Sequence, residues 1–265
     1  MGKIVLVGCG QMGGAILSGC LAKGLWKKED VLIKEHTVAL SEEKAAMYGV
    51  GASLDGHEAA DADLVLMAVK PNIMPEAARE IGAFSPKGTV VSIAAAVTLA
   101  ALTSYFPKGT RIVRVMPNTP ASVGEGFAAI SAGEFATDSD TEKVRGIFEA
   151  LGRAAVVSER QLDELGALSG AGPGYAFVII DALSDAGVNI GLSRDVAVLA
   201  AAQTLYGAAK MVLETGKHPA TLRDMVTSPG GTTIAGIAAM ERAGLRAAII
   251  DGVEACMKKS DSMGK

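Results

Sequence analysis

The sequence predicts an α/β chain in two parts, a helix-covered parallel sheet over residues 1–160 and an all-helical part over residues 161–265. Three observations lead there. Short β-branched runs alternate with helically spaced stretches up to Ser158, the order that builds βαβ units. A glycine motif sits directly between the first such run and the first helical stretch. Beyond Asp163 the strand signals stop, and long apolar stretches broken by Gly and Pro take over.

Taken in order, residues 3–7 are a β-branched apolar run, and residues 11–25 carry apolar side chains at helical spacing. Residues 30–34 read as a second strand. A helical run opens at Ser41 and Lys44 and continues toward Tyr48. Residues 62–69 form a buried strand, followed by a helix over 75–81. Residues 88–94 and 110–115 are further strands. Residues 127–131 and 154–158 close the series around a helix over 140–152. In the second part, residues 173–191, 193–216 and 230–259 read as helices. The stretch 175–186 carries only Asp181 and Asp185 as charges, and a helix apolar nearly all round is normally buried on every side. About a hundred residues of helix cannot bury several such faces alone. The second part is therefore expected to form a subunit interface, with a compact monomeric bundle as the alternative.

Bulk properties narrow the function. Basic and acidic residues are interspersed at a net charge of −4, with no Lys/Arg block to track phosphates, which argues against nucleic acid. Uninterrupted apolar runs such as residues 64–69 are too short to span a bilayer, so no membrane partner is expected. Met1 leads straight into the first strand without a leader pattern, from which a cytoplasmic location is expected. Cys9, Cys20 and Cys256 are odd in number and lack a C-x-x-C spacing, so free thiols are expected and no metal site.

Gly8-Cys9-Gly10-Gln11-Met12-Gly13 is a G-x-G-x-x-G run between strand and helix. Gly8 permits the tight turn, Gly10 the approach of a diphosphate, and Gly13 close helix–strand packing. The helix N-terminus offers free N–H groups and its positive dipole end. This predicts a Rossmann-type dinucleotide-binding domain. Glu35 stands where an acid holds a ribose 2′-OH and favours NAD. Its neighbours Lys34, His36 and Thr37 can instead bind a 2′-phosphate, so the cofactor choice stays open here. Glu35 can also be an ordinary solvated charge.

Of the histidines, His36 belongs to the adenosine end, His57 to a polar surface stretch, and His218 to the N-terminal turn of a helix before Pro219. A ketone reductase needs a positioned acid to protonate the new alkoxide. A cyclic imine enters already protonated, so the scarcity of such acids leans toward C=N reduction. The turn Ser228-Pro229-Gly230-Gly231-Thr232-Thr233 precedes a helical run, and consecutive N–H groups there suit a carboxylate. A helix start capped by Ser or Thr is the other reading.

Together these motifs resemble the pyrroline-5-carboxylate reductase family over nearly the full length. The matching runs are residues 8–15, Ala68-Val69-Lys70-Pro71, Ser92-Ile93-Ala94-Ala95, Arg114-Val115-Met116-Pro117-Asn118-Thr119-Pro120, residues 207–216, and 224–233. The resemblance implies NAD(P)H-dependent reduction of L-1-pyrroline-5-carboxylate to L-proline, with NADPH as cofactor and NADH as the alternative. It implies a helical C-terminal dimerisation domain, so a homodimer, with a ring of dimers as a further option. It places Ala68, Val69, Lys70, Pro71, Ala94, Ala95, Met116, Pro117, Asn118 and Thr119 along the cofactor. The substrate carboxylate falls on Ser228, Gly230, Gly231, Thr232 and Thr233, with the Thr233 hydroxyl near the ring nitrogen. Lys70 can equally be structural.

Three departures stand out. Ala96 replaces the family's usual Gly, and residues 170–175 are unusually rich in Gly; both are expected to shift local backbone only. Glu35 is not a typical phosphate ligand. Two other functions remain in view. One is a β-hydroxyacid dehydrogenase, against which Gly207 breaks the Asn-x-x-Lys spacing before Lys210. The other is a non-catalytic NADPH-binding sensor.

Overall fold

Ile4–Val7 forms β1, and all four of its side chains are buried. A strand buried on both faces belongs in the middle of a covered parallel sheet. The computed structural model, which describes residues 2–263, places it there. β2 (Val31–Lys34), β3 (Gly51–Ala52), β4 (Leu64–Met67), β5 (Thr89–Ser92), β6 (Arg111–Pro117), β7 (Gly126–Ala132) and β8 (Gly152–Val156) complete an eight-stranded sheet of order β3-β2-β1-β4-β5-β6-β7-β8. Ile4 pairs with Val31 on one side and Leu64 on the other.

Side chains alternate across the sheet and so build two cores. Ile4 and Leu6 pack with α1 (Gln11–Ala22) and α5 (Asp138–Glu149) through Ile16, Leu17, Val144 and Phe148. Val5 and Val7 pack on the opposite face with α3 (Met74–Gly82) and α4 (Leu99–Tyr105) through Met74, Ile81 and Leu102. α2 (Val38–Tyr48) follows β2.

The sheet unit departs from the sequence-based expectation in its strand directions and in an unassigned helix. β7 runs antiparallel to β6 and β8 parallel to β7, so the sheet is mixed. Only a 3₁₀ turn over Thr119–Val123 and Gly124, at φ +78°, separates β6 from β7. A parallel return needs a crossover of a dozen residues or more, so this short link forces an antiparallel pair. The second departure is α4, which the spacing left unassigned. Thr98 caps it, accepting from the Ala101 N–H.

The chain divides into two compact units, one of Met1–Ala171 with Cys256–Lys265 and one of Gly172–Ala255. α6 (Glu159–Leu165) and a π-helical turn over Gly166–Gly170 end the first stretch of the sheet unit. The second unit is helical, with α7 (Gly172–Asn189), α8 (Arg194–Thr215), α9 (Pro219–Met225), α10 (Thr232–Arg242) and most of α11 (Leu245–Met263). The expected single helix over 230–259 is broken at Gly244, whose φ of +82° ends α10. α7 and α8 pack closely because Gly187 has no Cβ; one would sit 2.9 Å from Ala197 Cβ.

Among the described residues of these helices, only Ser184 of α7 and Ala197 and Ala201 of α8 are buried within the chain. Phe177, Val178 and Leu199 are exposed. By length and composition, α8 and the helix running through α7 would also cross a membrane. Uninterrupted run length therefore does not exclude a bilayer, because isolated polar residues interrupt the runs without making the helices polar.

Candidate functional site

The glycine loop leaves β1 at Gly8, whose φ of +86° is left-handed. A Cβ there would meet the Ala68 carbonyl oxygen at 3.0 Å. A Cβ at Gly13 would collide with the Gly8 carbonyl oxygen, so α1 packs directly on the loop. Gly10 is the N-cap of α1 and is exposed, with nothing within 4 Å of where its Cβ would stand. No side chain caps the helix, and no acid lies in its first turn. Open space above uncapped N–H groups fits the diphosphate of a dinucleotide. Gln11 is exposed there, and Met12 is half-buried.

Beneath the loop, Cys9 is buried and hydrogen-bonded to the Tyr48 hydroxyl. Burial, followed by the nearby Glu35 carboxylate, pushes its thiol up to about 11, so it stays protonated at neutral pH.

The other segments named from sequence lie on the same edge of the sheet. Ala68-Val69-Lys70-Pro71 follows β4; the Ala68 N–H bonds the Val7 carbonyl at 2.8 Å. Lys70 is exposed, and its ammonium has no ion-pair partner among the described residues. Its carbonyl accepts the Ile73 and Met74 N–H groups that start α3. Ala94 and Ala95 follow β5, the first buried and the second exposed. Ala96 has φ +60°. The alanine therefore stands in the left-handed region that favours glycine.

Met116 and Pro117 are the last residues of β6, not loop residues beyond it. Asn118 and Thr119 follow. The Asn118 side chain donates to the Ser169 carbonyl at 3.0 Å and accepts the Phe127 N–H at 2.8 Å. Its amide thus ties the strand end to the π-helical turn. Gly166 and Gly170 make room there for Met116, whose Cε would lie 3.1 and 3.2 Å from a Cβ at either position. β2, β1, β4, β5 and β6 are consecutive in the sheet, so these segments form one continuous edge.

At the β2 end the open question of sequence is partly settled. The Cys9 N–H donates to Glu35 Oε1 at 2.6 Å, so the acid is bound to the glycine loop. The Lys34 ammonium turns inward, 3.1 Å from Glu80 and 2.8 Å from the Glu35 carbonyl. It is therefore not a free phosphate ligand, which corrects one of the three cations and hydroxyls proposed for that role. His36 is exposed, with Nδ1 4.0 Å from Glu35 Oε2. Thr37 is the N-cap of α2, its hydroxyl accepting from the Leu40 N–H.

In the helical unit, Gly230 has φ +70°, and the Gly231 N–H closes a turn onto the Ser228 carbonyl at 3.0 Å. Gly231 is the N-cap of α10, and no side chain caps the helix. Ser228 and the threonines thus do not cap α10. The N-terminal turn is free of acids, and Ser228, Thr232 and Thr233 are exposed beside it. Lys210, the rival catalytic lysine, pairs with Glu214 one turn along α8 at 3.6 Å.

Several contributors were not singled out in the sequence. Ser41 accepts the Glu35 N–H at 2.8 Å and fixes its backbone. Arg114, fully buried, reaches Glu159 at 2.9 Å and Asp163 at 2.7 Å and joins β6 to α6. The Arg114 pairs join parts of the chain 45 and 49 residues apart, which spacing does not reveal, whereas Ser41 lies six residues from Glu35 and bonds the Thr37 carbonyl, a local clue. Asp55, His57 and Glu58 bring three ligand-capable atoms within 4.8 Å of one another at the surface. His57 Nδ1 is hydrogen-bonded to Asp55 at 2.6 Å, which raises the imidazole above its usual pKa.

Comparison with known proteins agrees with this arrangement. Residues 159–263 match the family described as pyrroline-5-carboxylate reductase dimerisation. Residues 3–96 match NADP oxidoreductase, coenzyme F420-dependent. The chain is 40% identical to a pyrroline-5-carboxylate reductase of Escherichia coli, covering 99% of this chain and 98% of that one. It is 37% identical to an Arabidopsis thaliana enzyme of the same name, over 99% and 96%.

A solved structure from Coxiella burnetii superposes with a TM-score of 0.92 at 33% identity, over 100% and 99% of the two chains. The Plasmodium falciparum enzyme, solved with NADP bound, gives 0.86 at 30% identity, over 99% and 98%. Full-length likeness of this kind identifies the chain as a member of the pyrroline-5-carboxylate reductase family.

Proposed function

We propose that the chain reduces L-1-pyrroline-5-carboxylate to L-proline with its dinucleotide on the carboxyl edge of the sheet and its substrate on the Ser228–Thr233 turn. The observation that carries the substrate assignment is the uncapped, acid-free N-terminus of α10 behind that turn. A carboxylate accepts N–H groups in such a place and gains from the helix dipole. The bound dinucleotide supplies the hydride, with NADPH as the cofactor in keeping with the family matched by residues 3–96.

On this reading Gly8, Gly10, Gln11, Met12 and Gly13 hold the diphosphate. Glu35, His36 and Thr37 face the adenosine ribose. Residues 68–71, Ala94, Ala95 and residues 116–119 line the rest of the cofactor. The imine carbon takes the hydride, and the ring nitrogen keeps the proton with which it entered. Thr233 orients that nitrogen by hydrogen bonding. Holding the ring by its carboxylate contributes orientation, worth up to roughly 7–11 kcal/mol of barrier in ideal cases.

Residues 1–160 act as the dinucleotide domain and residues 161–265 as the substrate-binding and dimerisation domain. The exposed apolar surface of α7 and α8 supports burial against a second copy rather than against lipid, since the family matched there is one of dimerisation. A ring of dimers and a cytoplasmic setting complete the reading.

The test is Thr233→Val. Steady-state assays should show a higher KM for pyrroline-5-carboxylate or a lower kcat, with dinucleotide binding intact. An unchanged kcat/KM removes the assigned role.

A further inference from the structure

Residues 93–98 link β5 to α4 and carry Ala94 and Ala95 at the nucleotide edge of the sheet. Ala94 and Val97 are buried in the core on the α3 side, Ala95 is exposed, and Ala96 takes the left-handed turn. The sheet holds the near end of this link, where the Ile93 N–H donates to the Met67 carbonyl at 3.1 Å. The far end runs straight into α4, so the anchoring of α4 sets where the turn lies.

Leu99 opens α4, and its N–H has no acceptor within the helix. It donates instead to Glu159 Oε1 at 2.6 Å, across 60 residues of chain. The same oxygen accepts Arg114 Nη1 at 2.9 Å. Arg114 stands in register with Ser92, the last residue of β5. Glu159 thus ties the start of α4 to the strand beside β5, and a carboxylate in that place also gains from the helix dipole.

Neutralising Arg114 does not require Glu159. Arg114 Nη2 donates to Asp163 at 2.7 Å, and among the described residues Asp163 makes no hydrogen bond to α4. The remaining charged side chains of α6, Arg160 and Glu164, pair with each other at the surface. Asp163 balances the guanidinium, and Glu159 reaches the link as well.

We propose that Glu159 is a positioning residue for the dinucleotide: by fixing the first N–H of α4 to Arg114, it holds the Ala94–Ala96 turn in the shape that receives the cofactor. The inference rests on the reading of Ala94 and Ala95 as cofactor-lining given above.

The experiment measures the NADPH dissociation constant by fluorescence titration for the wild type, Glu159→Ala, Glu159→Gln, Asp163→Asn and Ala95→Glu, each well below its melting midpoint. Loss of a charge-assisted hydrogen bond in Glu159→Ala should raise the constant about tenfold or more. Glu159→Gln keeps an oxygen for the Leu99 N–H and should restore most of the affinity. Asp163→Asn should bind as the wild type does, even where it lowers the melting midpoint. With NADPH saturating, the KM for pyrroline-5-carboxylate in Glu159→Ala should stay near the wild-type value. An equal loss of affinity in Asp163→Asn reduces Glu159 to a structural ion pair and overturns the proposal. Ala95→Glu plants a charge on the link itself. Weakened binding there with an unchanged constant in Glu159→Ala overturns the positioning role and leaves the cofactor reading standing. Unchanged constants in both place the link away from the dinucleotide and overturn both.

Discussion

Ala96 occupies a conformation that glycine takes without cost, at φ +60°. A Cβ in the left-handed region costs roughly 1–2 kcal/mol. Part of that is recovered because alanine restricts the unfolded chain more than glycine does. Ala96→Gly is therefore expected to stabilise the protein by about 0.5–1 kcal/mol, raising Tm by about 2 °C. A thermal melt that falls instead would show that the turn gains from the methyl group. The glycine loop could be read in the sequence because each of its glycines has a separate steric reason to be there. Ala96 was visible too, but only as a departure; its φ was not. Lys34 shows the limit most clearly. Next to Glu35 in sequence it resembles a phosphate ligand, and only the approach of Glu80 from α3 turns it into an internal ion pair.

At the scale of the element, α5 shows how a local motif acquires distant duties. Thr137 and Asp140 form a capping box, legible from their spacing. Asp140 also accepts from the Thr89 hydroxyl on β5 at 2.6 Å and from Arg111 on β6 at 3.1 Å. Burial alone would raise its carboxyl pKa. The hydrogen bonds from Thr137 and Thr89, with Arg111, outweigh burial and hold it below the ordinary 3.8.

A depressed acid stabilises the fold above its unfolded pKa, and that stabilisation disappears as pH falls through the folded value. Asp140→Asn is expected to cost about 2–3 kcal/mol near neutral pH, by urea unfolding. The gap between wild type and variant should close only below pH 3.8. A gap that stays constant down to acid would contradict the assigned charge. The parallel core strands were legible because each is a short buried run. The reversal at β7 was not, since it depends on the brevity of the link over Thr119–Val123.

For the molecule as a whole, the helical unit keeps large apolar side chains in solvent that a soluble chain normally covers. Its composition pointed to this, though not to the face involved. Phe177, 64% exposed on α7, is a central candidate for contact with a second copy. Light scattering should find the wild type at least dimeric. Phe177→Glu should weaken the dimer about thirtyfold or more, as loss of an aromatic anchor does. An unchanged mass at low concentration would move the interface elsewhere.

The turned-about strands β7 and β8 also decide by which rim the main chain departs. Because β8 points away from the nucleotide rim, the backbone emerges at the far side and must climb back. α6 and the π-helical turn make that ascent. From Glu159, clamped to Arg114, to Ser169, clamped to Asn118, helix rises about 15 Å. The parallel stretch of β6 from Arg114 to Asn118 spans about 13 Å, so the climb ends level with the nucleotide rim. Had β7 continued in the direction of its neighbours, the same stretch of helix would have carried the chain off the opposite rim.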